Sequence, residues 1–80
     1  MTEAERADEQ EIQLHLVQLT NYARQLRAIE AAERRSFPTA SSWKEKKQAS
    51  DEYLKHNDWL VARGVNFVWN EQEQSFEWLR

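Results

Sequence analysis

The cluster of residue types best suited to catalysis is His56-Asn57-Asp58, and the second histidine, His15, stands far from it in sequence. Consecutive residues of a helix point in different directions, so these three side chains do not converge on one substrate atom. The sequence shows neither a nucleophile beside a base nor a partner that would orient one. Two histidines and no cysteine are also too few for a metal site built from those residue types. We therefore predict no enzyme activity, no cofactor and no metal.

The composition limits the number of domains, the fold class and the cellular location that can be expected. Eighty residues are enough for one domain, predicted to span 1–80. With 31% charged residues, a net charge of −3, one glycine and one proline, the chain is typical of a soluble, mainly helical domain. No apolar run approaches the ~20 residues that a membrane helix requires. We expect no signal segment, no membrane contact and a cytoplasmic location, with which the lack of cysteine agrees.

The first half of the chain has the pattern of one long helix, predicted at about 3–35. Thr2 and Glu5 form a capping box at its start, and Pro38 stops it. Apolar residues recur at steps of four and three along one face: Ile12, Leu16, Leu19, Ala23 and Leu26. This spacing predicts the inner face of a helix in a bundle.

Leu14 and Val17 break that pattern, because they lie roughly opposite the inner face. Asn21, Ala28 and Ala32 share their side of the helix. A helix that is apolar on two sides is either covered twice within its own fold or exposed to a partner. The C-terminal segment is one possible cover, and a second subunit or a target protein is the other.

The second helix is predicted at about 43–63, opened by a capping box of Ser42 and Glu45. Gly64 follows where a helix C-terminus favours a left-handed residue. The loop between the helices is short, so they should be antiparallel neighbours. The inner face of the second helix is predicted to carry Ala49, Tyr53, Leu54, Leu60 and Val61.

Segment 65–80 is rich in aromatic residues and has a symmetric pattern. Phe67 and Trp69 flank one residue, Phe76 and Trp78 flank another, and six residues separate the two pairs. Alternation of this kind predicts a β-hairpin in which Trp69 faces Phe76 and Phe67 faces Trp78, and it resembles known aromatic-rich hairpins. Gln74 stands at the turn position that favours a positive φ. The predicted fold is therefore mainly α, an antiparallel two-helix hairpin with a C-terminal β-hairpin packed at the overhanging N-terminal end of the first helix, beside Ile12 and Leu14.

A third helix is the alternative for the same segment. Asn70 and Glu73 have the spacing of a capping box, and apolar residues recur near heptad steps from Val65 to Leu79. That interpretation would give a three-helix bundle.

Charge is unevenly distributed along the chain. Residues 1–22 carry five carboxylates against one arginine (−4), residues 23–50 seven basic against three acidic residues (+4), and residues 51–80 six against three (−3). The tip of the helical hairpin is therefore basic, with candidate contacts to nucleic acid or to an acidic partner at Arg34, Arg35, Lys44, Lys46 and Lys47. A solvated face is the other interpretation, and the pI near 5.3 argues against a dedicated nucleic-acid binder. The acidic end leaves open that the first helix mimics nucleic acid.

The leading hypothesis is a small, non-enzymatic protein–protein interaction module that masks a partner surface. A core this small, with no disulfide or metal, is often stabilised by a second subunit, so we expect a homodimer. The candidate contact residues are Leu14, Val17, Trp59 and Trp78, with Trp59 included because it projects away from the inner face of its helix. Small acidic proteins of this type are common among phage and mobile-element accessory proteins, and an inhibitor of host machinery is one specific form. The alternative function is a nucleic-acid-associated regulator that uses the basic tip.

Overall fold

The structure, a computed structural model, describes residues 3–36 and 40–79. Its elements follow in the order α1 Glu3–Arg35, α2 Ala40–Ala62, β1 Asn66–Asn70 and β2 Ser75–Leu79. The two helices pack against each other, and the strands form an antiparallel hairpin. The predicted mainly helical fold with a C-terminal β-hairpin is confirmed, and the three-helix alternative is wrong. Over the described residues, neither helix has the apolar length needed to cross a membrane.

The core lies where the helices and the hairpin meet. Leu16, Leu19, Ala49 and Leu60 are buried, and Leu19 and Leu60 are completely so. The side chains packed around this centre are half-buried: Ile12, Tyr53, Trp59, Val65, Phe67, Phe76 and Trp78. The inner face predicted for α1 is confirmed, since each of its five residues is buried or half-buried.

The inner face of α2 differs from the prediction at two positions. Leu54 and Val61 are 51% and 60% exposed. The residues just before them, Tyr53 and Leu60, face the core, and successive helical residues differ by about 100° in direction. The core-facing row therefore runs through Tyr53, His56 and Leu60 and leaves Leu54 and Val61 outside.

The start of α2 also differs from the prediction. The helix begins at Ala40, so Ser42 lies inside its first turn and is not the N-cap. The capping box predicted at Ser42 is therefore wrong, because the helical conformation is already established two residues earlier. Thr2 and Pro38, the predicted cap and stop of α1, lie outside the described residues.

The end of α2 has the conformation predicted from its glycine. Gly64 has a φ of 73°, and no described residue other than its two chain neighbours lies within 4 Å of where a Cβ would stand. Its N–H donates to the Val61 carbonyl at 3.0 Å, and the Val65 N–H donates to the Leu60 carbonyl at 3.1 Å. These two bonds are a Schellman motif, and Val65 adds its apolar contact with the core. The motif turns the chain from α2 into β1.

The hairpin has the predicted register, with Trp69 opposite Phe76 and Phe67 opposite Trp78. Gln74 takes the positive φ, at 53°. Its side-chain amide donates to the Glu71 carbonyl at 2.6 Å, within the same turn. A glutamine therefore occupies the position that glycine or asparagine usually takes.

The hairpin lies along the middle of α1. The prediction that it covers the N-terminal overhang of this helix is therefore wrong. The Phe76 N–H donates to Thr20 Oγ1 at 3.0 Å, and that hydroxyl donates to the Leu16 carbonyl at 2.8 Å. Arg24 donates to the carbonyls of Gln74 and Glu73 at 2.7 and 3.1 Å. These polar groups of α1 hold the turn beside them, so the hairpin is drawn away from the first turns of the helix.

Candidate protein-interaction surface

The surface of α1 opposite the core carries apolar side chains that no described part of the fold covers. Leu14 is 58% exposed and Val17 is 55% exposed. We call the row formed by Leu14, Val17, Asn21, Ala28 and Ala32 the outer stripe, and all five residues are exposed. The sequence leaves open whether the C-terminal segment or another protein chain covers Leu14 and Val17. The C-terminal segment does not, because the hairpin packs on another side of α1.

An open groove of about 580 Å³ lies between α1 and β2, directly beside the outer stripe. Its apolar lining comes from Leu16, Val17, Phe76 and Trp78. The polar lining is Gln13, Thr20, Asn21, Arg24 and Ser75. Val17 and Asn21 belong to both the groove and the outer stripe, so the two features form one continuous surface.

Trp78 therefore has two roles in this region. It packs against the core cluster on one side and lines the groove on the other. The structure brings Trp78 and Val17, two of the predicted contact residues, to opposite sides of the same groove, with Leu14 farther along the outer stripe.

Trp59, the fourth predicted contact residue, does not line this groove. Its indole is half-buried, packs against the core cluster and stacks on His15 with ring centroids 3.8 Å apart. The Arg63 guanidinium also lies over the Trp59 ring, 4.1 Å from its centroid. The prediction that Trp59 projects away from the inner face is wrong, because it follows His56 by one helical turn and fills the seam with α1. Trp59 is part of the contact between the helices.

The basic tip has a mixed charge. Lys46 Nζ lies 3.2 Å from the Glu33 carboxylate, an ion pair that joins α2 to α1. A second groove at this end is lined by Lys46 and Lys47 but also by the carboxylates of Glu30, Glu33 and Asp51, with Trp43 and Leu26. Arg34, Arg35, Lys44 and Lys47 are exposed. Neutralisation by these carboxylates weakens the case for a phosphate-binding surface.

The two histidines lie 41 residues apart in the sequence, but they come together in the structure. His15 Nδ1 and His56 Nδ1 are 2.8 Å apart, and the His56 Nε2 atom lies 3.9 Å from Glu52. Each histidine follows a glutamate by four residues, but no spacing in the sequence indicates that the two histidines meet. Burial lowers the pKa of His15, the nearby His56 and Arg63 lower it further, and Glu11 opposes them.

The distance between the two Nδ1 atoms is that of a hydrogen bond between the imidazoles. Among the described residues, no three His, Cys, Asp or Glu side chains are placed to hold a metal ion. Trp59 stacks on the imidazole of His15, and Tyr22 stacks on that of His56.

Comparison with protein-family models, with curated proteins and with solved structures finds no match for this chain. The functional conclusion therefore follows from the surface itself: an exposed apolar stripe on α1, continuous with a groove that Trp78 lines.

Proposed function

We propose that this protein is a small interaction module that binds another protein chain through the outer stripe and the adjoining groove, and acts by masking that chain's surface. The observation that carries the proposal is the exposure of Leu14 and Val17, one helical turn apart, on a helix whose opposite face already forms the core. Binding, rather than catalysis, is the activity proposed.

The energetics of this surface support the proposal. Full burial of a leucine or valine side chain contributes about 1.5–3 kcal/mol, and more than half of each side chain is still available here. Trp78 at the far side of the groove adds an aromatic side chain of the kind enriched at the energetic centres of interfaces. A helix laid beside α1 would contact all three residues, the helix-in-groove mode of recognition.

The experiment compares two double variants of equal chemistry. Leu14→Ser with Val17→Ser removes the apolar side chains of the outer stripe. Leu54→Ser with Val61→Ser is the matched control, because it removes an equally exposed leucine and valine from α2. Circular dichroism and thermal unfolding test whether each variant folds.

We expect the wild type and the α2 control to retain the same bound chain in affinity capture, or the same self-association in light scattering. The α1 variant should lose it. If both variants bind as the wild type does, or if the α2 control is the one that loses binding, the outer stripe is not the contact surface. Unfolding of the α1 variant would show instead that Leu14 and Val17 serve the core.

A further inference from the structure

We propose that the chain bound by the outer stripe is a second copy of this protein, with the two α1 helices antiparallel about a twofold axis at Asn21. This inference rests on the proposed function, since it names the partner of the same surface. Three features of α1 carry it: the order of large and small residues, the polar residue at the centre, and the distribution of charge.

The residues of the outer stripe have the spacing of a helix–helix seam. Leu14, Val17, Asn21, Ala28 and Ala32 follow at steps of three, four, seven and four. Such steps keep side chains on one face of paired helices. Leu14 and Ala28 are each seven residues from Asn21, so antiparallel pairing about Asn21 sets each leucine against an alanine of the other copy.

A parallel pair would pack less well. It would place Leu14 against Leu14 and Ala28 against Ala28 of the second copy, leaving a crowded layer and a hollow one along the same seam. Protein interiors are close-packed, and interfaces match that density at their centres. The large residues of the outer stripe precede Asn21 and the small ones follow it, an order that favours the antiparallel arrangement.

Asn21 lies on the proposed axis and is exposed in the single chain. A side-chain amide both donates and accepts, so two copies of Asn21 that meet at a twofold axis satisfy each other. A polar residue at the centre of a helix–helix seam fixes register, because any slip leaves its amide without a partner.

The charges of α1 are complementary only in the antiparallel arrangement. Asp8 and Glu11 are exposed near its start, whereas Arg34 and Arg35 are exposed in its last turn. Antiparallel copies bring each acidic end to the basic end of the other helix, and also align the helix macrodipoles favourably. Parallel copies would bring like charges together at both ends.

The experiment uses the absence of cysteine from the natural chain. Asn21→Cys introduces one thiol on the axis, and mild oxidation or a short bis-maleimide then reports whether two copies meet there. Gln10→Cys and Ala32→Cys, which retain every large residue of the outer stripe, test the direction. Residue 10 should face residue 32 of the other copy, while two copies of residue 10 lie roughly 33 Å apart, at 1.5 Å per residue.

We expect Asn21→Cys to form crosslinked dimer by itself. Gln10→Cys and Ala32→Cys should each form none alone and a heterodimer when mixed. Crosslinking of Gln10→Cys to itself, or a dimer that ignores all three thiols, would overturn the antiparallel arrangement.

The failure of this inference is distinguishable from failure of the proposed function. A wild-type chain that light scattering shows to be monomeric at high concentration overturns the self-pairing, while a target lost only from the Leu14→Ser, Val17→Ser variant still supports the outer stripe. A dimer that survives that variant and fails in the Leu54→Ser, Val61→Ser control overturns both.

Discussion

The Nδ1 atom of His15 lies 2.8 Å from the Nδ1 atom of His56 and so joins α1 to α2 by a hydrogen bond between two imidazoles. One nitrogen must donate and the other accept, which requires at least one neutral ring. When both rings are protonated, both nitrogens are donors and two positive charges stand at the helix contact. Trp59 stacks on His15 and Tyr22 stacks on His56, so water has limited access to the pair.

The first prediction is that stability falls in mild acid. The pKa of His15 is lowered from 6.5 in the folded chain, first by burial and then by His56 and Arg63, with Glu11 opposing. The unfolded chain therefore binds more protons, and the free energy of unfolding decreases as pH falls through and below about 6.5. Urea denaturation should show little change in midpoint between pH 7 and 8 and a decline from pH 6.5 to 5.

His15→Gln is the control for this pH dependence, because glutamine does not titrate. Its urea midpoint should change much less over the same interval, whatever its value at pH 8. An equal slope in the wild type and in His15→Gln would rule out this histidine as the cause.

The second prediction concerns the hydroxyl that attaches β2 to α1. Thr20 is buried, and its Oγ1 accepts the Phe76 N–H at 3.0 Å. Thr20→Val keeps the shape but leaves that N–H without a partner, which costs about 1–3 kcal/mol of unfolding free energy. Urea denaturation measures the loss, and amide exchange at Phe76 should accelerate.

Thr20→Ser is the matched variant, since it removes a methyl group and keeps the hydroxyl. It should be more stable than Thr20→Val and should retain slow exchange at Phe76. If the valine variant is as stable as the wild type, the hydroxyl does not anchor the hairpin.

How much of this fold follows from sequence is clearest in the hairpin. Its register was predictable, because Phe67, Trp69, Phe76 and Trp78 repeat with the period of a strand and pair symmetrically. Its place on α1 was not, because that depends on Thr20 and Arg24, which meet partners about fifty residues away. The periodicity of neighbouring residues does not indicate contacts between residues so far apart in the sequence.

The candidate surface is likewise predictable in part from the sequence and in part only from the packing of the elements. Helical periodicity places Leu14 and Val17 on one face, but whether that face is covered depends on where the hairpin packs. On α2, several apolar residues compete for the inner face, and Leu54 and Val61 point outward because Tyr53 and Leu60 point inward. The histidine pair also required the relative position of the two helices.

The third prediction concerns the two residues with positive φ. Gly64 has a φ of 73° with open space around its Cβ position, so Gly64→Ala introduces no clash. The left-handed conformation itself disfavours alanine by about 1–2 kcal/mol, and the variant should lose that much stability. Conversely, Gln74→Gly removes a strained residue from a φ of 53° and should raise stability by up to about 1 kcal/mol.

The two substitutions check each other by chemical denaturation, since they exchange glycine and a side chain at similar backbone angles. Opposite signs are expected. A stabilising Gly64→Ala would show that the Schellman motif relaxes, and a destabilising Gln74→Gly would show that the Gln74 side-chain hydrogen bond to Glu71 outweighs the strain.

The last prediction separates structure from binding at the basic tip. Lys46 pairs with Glu33, whose side chain is only 19% exposed, whereas Lys44 and Lys47 are exposed. Lys46→Gln should lower the free energy of unfolding by up to about 1 kcal/mol, because the half-buried Glu33 carboxylate loses its cation. Lys44→Gln and Lys47→Gln should leave it unchanged within about 0.5 kcal/mol.

Thermal unfolding of the three single variants measures these differences, and the effect of Lys46→Gln should shrink at high salt because ions screen the pair. Titration with short duplex DNA completes the test. If the wild type shows a salt-sensitive association that Lys44→Gln and Lys47→Gln abolish, the basic tip binds phosphates in addition to holding the helices together through Lys46 and Glu33.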